Sequence, residues 1–219
     1  MTDPDEVSRQ LAAESLAVDD PTGWFERLYS AADAGAAVVP WDRGAAHPLI
    51  VEWAQGRGRP QQQEQAQQRE RALVVGAGLG FDAEYIAGLG FETTAFDISP
   101  TAVRRAQERS ERVRFRTADL LDPPAEWHGA FDLVVESLTV QSMPVGPRKA
   151  AIHNVAGFVA PGGTLLVVAF AQDEHDEPFE GPPWPLTRAD IAAFGEGLET
   201  VAVERVEGRW RAEFRRPAA

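Results

Sequence analysis

The stretch Gly76-Ala77-Gly78-Leu79-Gly80 sets three glycines at alternate positions, between an apolar run and a segment of helical pattern. Glycine permits a sharp turn and lets a ligand come close to the backbone. The start of a helix just beyond adds free N–H groups and the positive end of a dipole. Such a turn alone is a weak signal. Two carboxylates strengthen it. Asp97 closes the next apolar run, about twenty residues after the turn, where a carboxylate can accept both hydroxyls of a ribose. Asp119 follows the third run in Ala118-Asp119-Leu120, from which it can bond an adenine amino group while Leu120 packs on the ring. Each feature has a bland alternative, a turn glycine or a solvated aspartate. Together, at successive strand ends, they point to an adenosine-bearing ligand.

These residues need strands beneath them, and the pattern supplies strands. Residues 72–75, 92–96, 113–116, 131–135, 164–170, 200–205 and 209–214 read as seven short strands. Helical patterns fall between them, over 82–89, 100–109, 148–159 and 187–194. Ser99 suits an N-cap, with Pro100 at the first helical position. Pro161-Gly162-Gly163 is expected to stop the helix that precedes it. Such alternation argues for an α/β, doubly wound, mostly parallel seven-stranded sheet. The consecutive apolar residues of 131–135 fit a strand covered on both faces.

Ahead of the sheet, residues 1–20 read as a flexible or weakly helical N-terminal segment. Residues 21–70 read as cap or lid helices and a linker, with Trp24, Phe25, Leu28 and Tyr29 on one side of a helix. The Gln-rich part of that stretch, 61–68, reads as solvated linker or helix extension, a lid or partner segment being the alternative. Residues 71–219 form the expected Rossmann-like core.

The turn also bears on which nucleoside is held. A dinucleotide site usually shows G-x-G-x-x-G, the third glycine packing helix on strand. Here that position is Phe81, and Asp82 follows it. A carboxylate there would oppose a pyrophosphate. It suits the cationic amino-acid end of S-adenosyl-L-methionine, the expected cofactor.

Composition narrows the partners. The chain has 219 residues and a formal net charge of −13, which repels phosphate backbones. Its arginines at 104–116 are interrupted by Glu108 and Glu111 and read as a solvated helix face. No nucleic-acid or membrane partner is expected. Cysteine is absent, which removes disulfides, thiolate metal ligands and a cysteine nucleophile; no metal site is expected. The acidic start MTDPDEVSRQ lacks a signal-peptide pattern, and the apolar runs are too short to span a bilayer, so a cytoplasmic location is expected.

With these residues in place, the chain resembles the thiopurine, thiol and halide methyltransferases, a branch of the class I enzymes that use S-adenosylmethionine. Four blocks carry the resemblance: VPWDRGAAHPLIVEW with Trp24 before it; ALVVGAGLGFDAEYIAGLGFETTAFDIS; FDLVVESLTVQSMP with VAPGGTLLVVAF; and GPPWPLTRADIAAF. The second is generic to class I enzymes, while the first and fourth are more specific. The resemblance implies that Trp24, Tyr29 and Trp41 form an aromatic lid over the sulfonium. It places Gly76 and Gly78 beside the methionine part, Asp97 and Ile98 at the ribose, and Asp119 and Leu120 at the adenine. Ser137 stands where plant relatives carry an aromatic residue, so the acceptor pocket differs from theirs. Val75 and Ala77 replace the Pro and Cys of the family's turn.

A small-molecule methyl acceptor is the expected partner, most simply a thiol, thiopurine or halide. Such acceptors need no strong base. Glu136 and His47 are the candidates for a base if one is used, and Glu136 alternatively orients the cofactor's amino group. Gln141 and Ser142 are placed on the acceptor side, His153 on a solvated helix face, and His128 and His175 in loops. The alternatives are O- or N-methylation of a small metabolite and nucleoside binding without catalysis. Base methylation of nucleic acid is disfavoured, because Glu136-Ser137-Leu138-Thr139 lacks the Asn/Asp-Pro-Pro-aromatic signature.

Overall fold

A computed structural model describes residues 4–57, 69–173 and 181–218. The Gln-rich stretch and His175 lie outside them. Seven strands make one sheet in the order β3-β2-β1-β4-β5-β7-β6. The strands are β1 (Arg71–Val75), β2 (Glu92–Asp97), β3 (Arg114–Thr117), β4 (Phe131–Ser137), β5 (Val159–Phe170), β6 (Glu199–Val206) and β7 (Arg209–Arg215). The first five run parallel, and β7 is antiparallel to both neighbours. The expected doubly wound sheet is therefore present. Strand order reverses between β1 and β4, and α/β sheets open a crevice beyond the strand ends at such a point.

Among the described residues, seven α-helices accompany the strands: α1 (Pro4–Leu16), α2 (Gly23–Asp33), α3 (Pro48–Arg57), α4 (Phe81–Gly88), α5 (Pro100–Arg109), α6 (Val145–Gly157) and α7 (Arg188–Ala193). Strand parity sorts the core into two layers. Ala72, Val74, Leu133 and Val135 pack with Ile50, Ile86 and Val103 of α3, α4 and α5. Leu73, Val75 and Val134 face the other way, onto Ile152 and Val155 of α6 and Ile191 of α7. Burial on both faces is why residues 72–75 of β1 and 133–135 of β4 are unbroken apolar runs.

Local chemistry sets the helix starts. Ser99 accepts a hydrogen bond from Ala102 N–H ahead of Pro100, as expected, and Thr187 with Asp190 closes a capping box on α7.

Two expectations need correction. The start of the chain, read as a flexible or weakly helical segment, holds the 13-residue helix α1, with Ala12 buried against Trp24 and Leu28 of α2. The sixth helix starts and ends earlier than expected, and Pro161-Gly162-Gly163 lies inside β5 instead of stopping it. A side chain at Gly163 would meet the carbonyl oxygens of Ala160 and Phe131 at 2.9 Å, so this glycine serves a tight strand approach. Among the described residues no helix is long and apolar enough to cross a membrane.

Candidate functional site

A cavity of about 420 Å³ opens where the parallel strands end, with the N-terminal helices on its far side. Its size suits a small-molecule site. Its sheet-side wall is the turn from β1 to α4. Gly76 and Gly78 take φ of +59° and +51°, a region costly for residues with a Cβ. A Cβ on Gly76 would lie 2.1 Å from Thr139 Oγ1, and one on Gly78 would lie 2.8 Å from Tyr29 Oη. Backbone alone fits at both places.

Asp97 anchors this wall. One carboxylate oxygen accepts Gly78 N–H at 2.8 Å and the other accepts Ser99 N–H at 2.9 Å. Burial pushes its pKa up to about 6, against the pull of those backbone donors. A carboxylate offers about four acceptor positions, so one remains after these bonds and the further backbone bond from Ile98 N–H. Ile98, Asp119 and Leu120 line the same side, and Asp119 is held by Leu121 N–H on one oxygen. Leu138 also faces the cavity, with φ of +62°, a strained conformation for a branched side chain and one often kept at ligand sites.

The opposite wall comes from the N-terminal helices. Trp41 donates its indole N–H to Tyr29 Oη at 2.9 Å, and the rings of Trp24, Phe25 and Tyr29 surround it at 5.9–6.4 Å. Trp41, Tyr29 and Phe25 line the cavity. Trp24 does not: it is fully buried, stacked under Phe25 and packed on α1. Its expected lid role is corrected by the phase of α2. Residues 25 and 29 are four apart and share the cavity face, while Trp24 and Leu28 share the adjoining, buried one. Phe25 is the aromatic that sequence reasoning passed over, and its i, i+4 spacing to Tyr29 was the available signal.

Glu26 ties this wall to the sheet. Its carboxylate accepts the Ser99 and Thr101 hydroxyls at 2.5 and 2.7 Å and Thr101 N–H at 3.1 Å. Asp33, at the end of α2, pairs with Arg104 and Arg105 of α5. The helices that close the cavity are thus fastened to the helix that follows Asp97.

The two candidate bases fare differently. His47 lines the cavity, but its Nδ1 accepts Leu49 N–H at 3.2 Å, and burial with the nearby Arg43 and Arg209 lowers its pKa to about 4. It is neutral near pH 7, with its acceptor nitrogen already used. Glu136 is fully buried and does not line the cavity. Its Oε1 accepts Thr139 and Val140 N–H at 2.8 and 2.9 Å, and burial raises its pKa to about 7. The expectation of a pocket carboxylate is corrected by parity: Glu136 lies two residues from Val134, on the α6 face of β4. It holds the short 3-10 turn Val140–Ser142, which carries Gln141 and Ser142 to the cavity.

Asp82 also lines the site. Burial raises its pKa, opposed by hydrogen bonds from His47 N–H and the Ser137 side chain. Ser137 lines the cavity too, and His128 and His153 are exposed. Among the described residues no group of His, Asp or Glu is arranged to hold a metal.

The arrangement resembles known proteins. Residues 72–163 match the family described as "Methyltransferase domain". Over 190 residues the chain is 26% identical to a probable thiol methyltransferase of Arabidopsis thaliana, covering 80% of this chain and 78% of that one. It is 36% identical over 101 residues to a ubiquinone biosynthesis O-methyltransferase of Xanthomonas campestris, 44% of this chain and 41% of that protein, so the match spans less than half of it. The fold superimposes on the N-methyltransferase NodS of Bradyrhizobium japonicum, solved with S-adenosyl-L-homocysteine, with a TM-score of 0.62 at 18% identity, over 88% of this chain and 99% of that one.

Proposed function

We propose that the chain is an S-adenosylmethionine-dependent methyltransferase, with its methyltransferase domain at residues 72–163, and that it methylates a small, soft nucleophile, most simply a thiol. The residues present fit the cofactor. Asp97 keeps an acceptor position for a ribose hydroxyl, Asp119 and Leu120 offer a carboxylate and an apolar face for adenine, and Gly76 and Gly78 leave a backbone cradle that any Cβ would fill. Asp82, near the start of α4, complements an ammonium group.

When bound, the cofactor would supply an electrophilic methyl group on a positively charged sulfur. Trp41, Phe25 and Tyr29 present aromatic rings to that charge, an attraction worth about 0.5–2 kcal/mol depending on desolvation. Their second task is alignment. By closing against the glycine turn they hold reacting groups in one geometry, a large part of what a displacement needs.

The observation that carries the thiol reading is the state of the two candidate bases. His47 is neutral with its acceptor nitrogen occupied, and Glu136 lies behind the cavity. Such a site favours an acceptor that needs little help losing a proton, such as a thiol, thiopurine or halide, over an alcohol. A second reading, O-methylation, is favoured by the stronger core identity to the Xanthomonas campestris enzyme. The test is release of S-adenosylhomocysteine from S-adenosylmethionine across small thiols, a thiopurine, iodide and phenols. Turnover confined to sulfur acceptors is expected. Turnover confined to phenols would replace the thiol reading with the second one.

A further inference from the structure

On the acceptor side of the cavity, Gln141 has hydrogen-bonding capacity to spare. Gln141 is 2% exposed and fixed at several points. Its backbone carbonyl accepts Trp184 N–H at 2.7 Å, its side-chain oxygen accepts Phe170 N–H, and Glu136 clamps the turn beneath it. A backbone N–H can only donate, so the atom that meets Phe170 is the amide oxygen and the NH2 group is turned away from it. Among the described residues no protein atom accepts from that NH2, and Gln141 lines the cavity. That NH2 group is open to the cavity instead of enclosed by protein, so an acceptor atom entering the cavity can take its hydrogen bonds.

Charge on the lining says what kind of acceptor fits. Asp5, Asp42, Asp82, Asp97 and Asp119 line the cavity, and Arg43 is the one cation among the described lining residues. A positively charged cofactor suits this excess of carboxylates. A free anion entering beside it meets like charge in a partly desolvated space, where repulsion is stronger than in water.

We propose that Gln141 recognises the methyl acceptor through its amide NH2, and that this acceptor is an uncharged molecule bearing a hydrogen-bond-accepting oxygen or nitrogen, not a free anion such as a halide. The inference rests on the reading of this cavity as the methyl-transfer site, and it narrows the acceptors considered above. Gln141 is a specificity residue here, touching the acceptor directly, and Glu136 positions it.

The test uses the full chain loaded with S-adenosylhomocysteine and two product-like probes, 3-(methylthio)propionamide and 3-(methylthio)propionate. NMR titration gives a dissociation constant for each. The amide is expected to bind at least about tenfold more tightly than the carboxylate, the scale of one hydrogen bond plus one like-charge contact. Gln141→Glu keeps an oxygen for Phe170 N–H but removes the donors. It is expected to lose the amide preference and to gain affinity for the cationic 3-(methylthio)propylamine, an inversion that a purely structural role for Gln141 does not produce. Equal affinity for amide and carboxylate, no binding of either, or an unchanged preference in Gln141→Glu overturns the inference. Affinity for S-adenosylhomocysteine itself, measured in the same samples, reports separately on the cofactor reading and on folding of the variant.

Discussion

On the sheet side of the cavity the anchoring groups are the backbone of Gly76 and Gly78 and the strand-end carboxylates of Asp97 and Asp119. On the opposite side they are side chains from separate segments: Phe25 and Tyr29 on α2, Trp41 after it, and Gln141 on the turn after β4. Backbone placed by a strand end has little freedom, and the ladder below fixes its register. The side-chain wall depends on helix phase, on the Glu26 fastening to α5 and on the Glu136 clamp. On the proposed function, cofactor binding is set by the first wall and acceptor choice by the second.

The largest expected effect belongs to the backbone wall. Asp97→Ala removes the proposed ribose acceptor and leaves the N–H groups of Gly78 and Ser99 unpaired. Charge-assisted bonds of this kind contribute roughly 1.5–3 kcal/mol each, so affinity for S-adenosylhomocysteine, read by calorimetry, is expected to fall at least about a hundredfold. Unchanged affinity would remove the ribose from Asp97.

Next comes the buried carboxyl beneath the acceptor wall. The pKa of Glu136 is raised to about 7, above its ordinary value near 4.5, so the folded chain holds a proton there that the unfolded chain releases. Stability is therefore expected to fall as pH rises through about 7, and to recover as pH drops toward 4.5. Asp97, raised to about 6, acts in the same direction somewhat lower on the scale. Glu136→Gln removes the first titration. By urea unfolding it is expected to gain roughly 2 kcal/mol relative to the parent between pH 5 and pH 8. A parallel pH dependence in parent and variant contradicts the assignment.

Gly78→Ala joins the two walls, since its methyl would press on Tyr29 Oη. Left-handed strain of about 1–2 kcal/mol is expected from the backbone alone. Gly44→Ala, with φ of +66° and open space around it, should show that strain by itself. The excess at position 78, expected as a further loss of cofactor affinity of roughly tenfold, measures the contact across the cavity. Equal effects at the two positions would mean the walls do not touch there.

Trp41→Phe is expected to be mildest. It keeps an aromatic face and loses only the indole bond to Tyr29. A change of about 0.5–1.5 kcal/mol is expected, as a severalfold weaker affinity in the same titration.

Why one wall was legible in the sequence and the other less so follows from this construction. The glycine turn, Asp97 and Asp119 sit at fixed offsets from apolar runs, so finding the strands finds the residues. Trp24 and Phe25 are neighbours in sequence, and only the phase of α2 against the sheet decides which one reaches the cavity. Glu136 ends a strand that is apolar on both faces, so alternation could not say which face it joins. Proline and glycine in Pro161-Gly162-Gly163 mark a break in regular pairing, and the break falls within a strand instead of at a helix end. Gln141 was placed on the acceptor side from its position after β4, but its locked amide depends on Phe170, 29 residues away, which no local pattern reveals.

The central claim, that one cavity holds the cofactor between these walls, is tested most directly by the indole N–H signals. There are six tryptophans, and Trp41 alone among them lines the cavity. Titration of 15N-labelled protein with S-adenosylhomocysteine is predicted to shift the Trp41 signal strongly. Trp53, bonded to Glu213, and Trp210, bonded to the Leu186 carbonyl, should stay in place. A Trp41 signal that does not move at saturating ligand, or one that moves less than those of Trp53 and Trp210, would contradict the account.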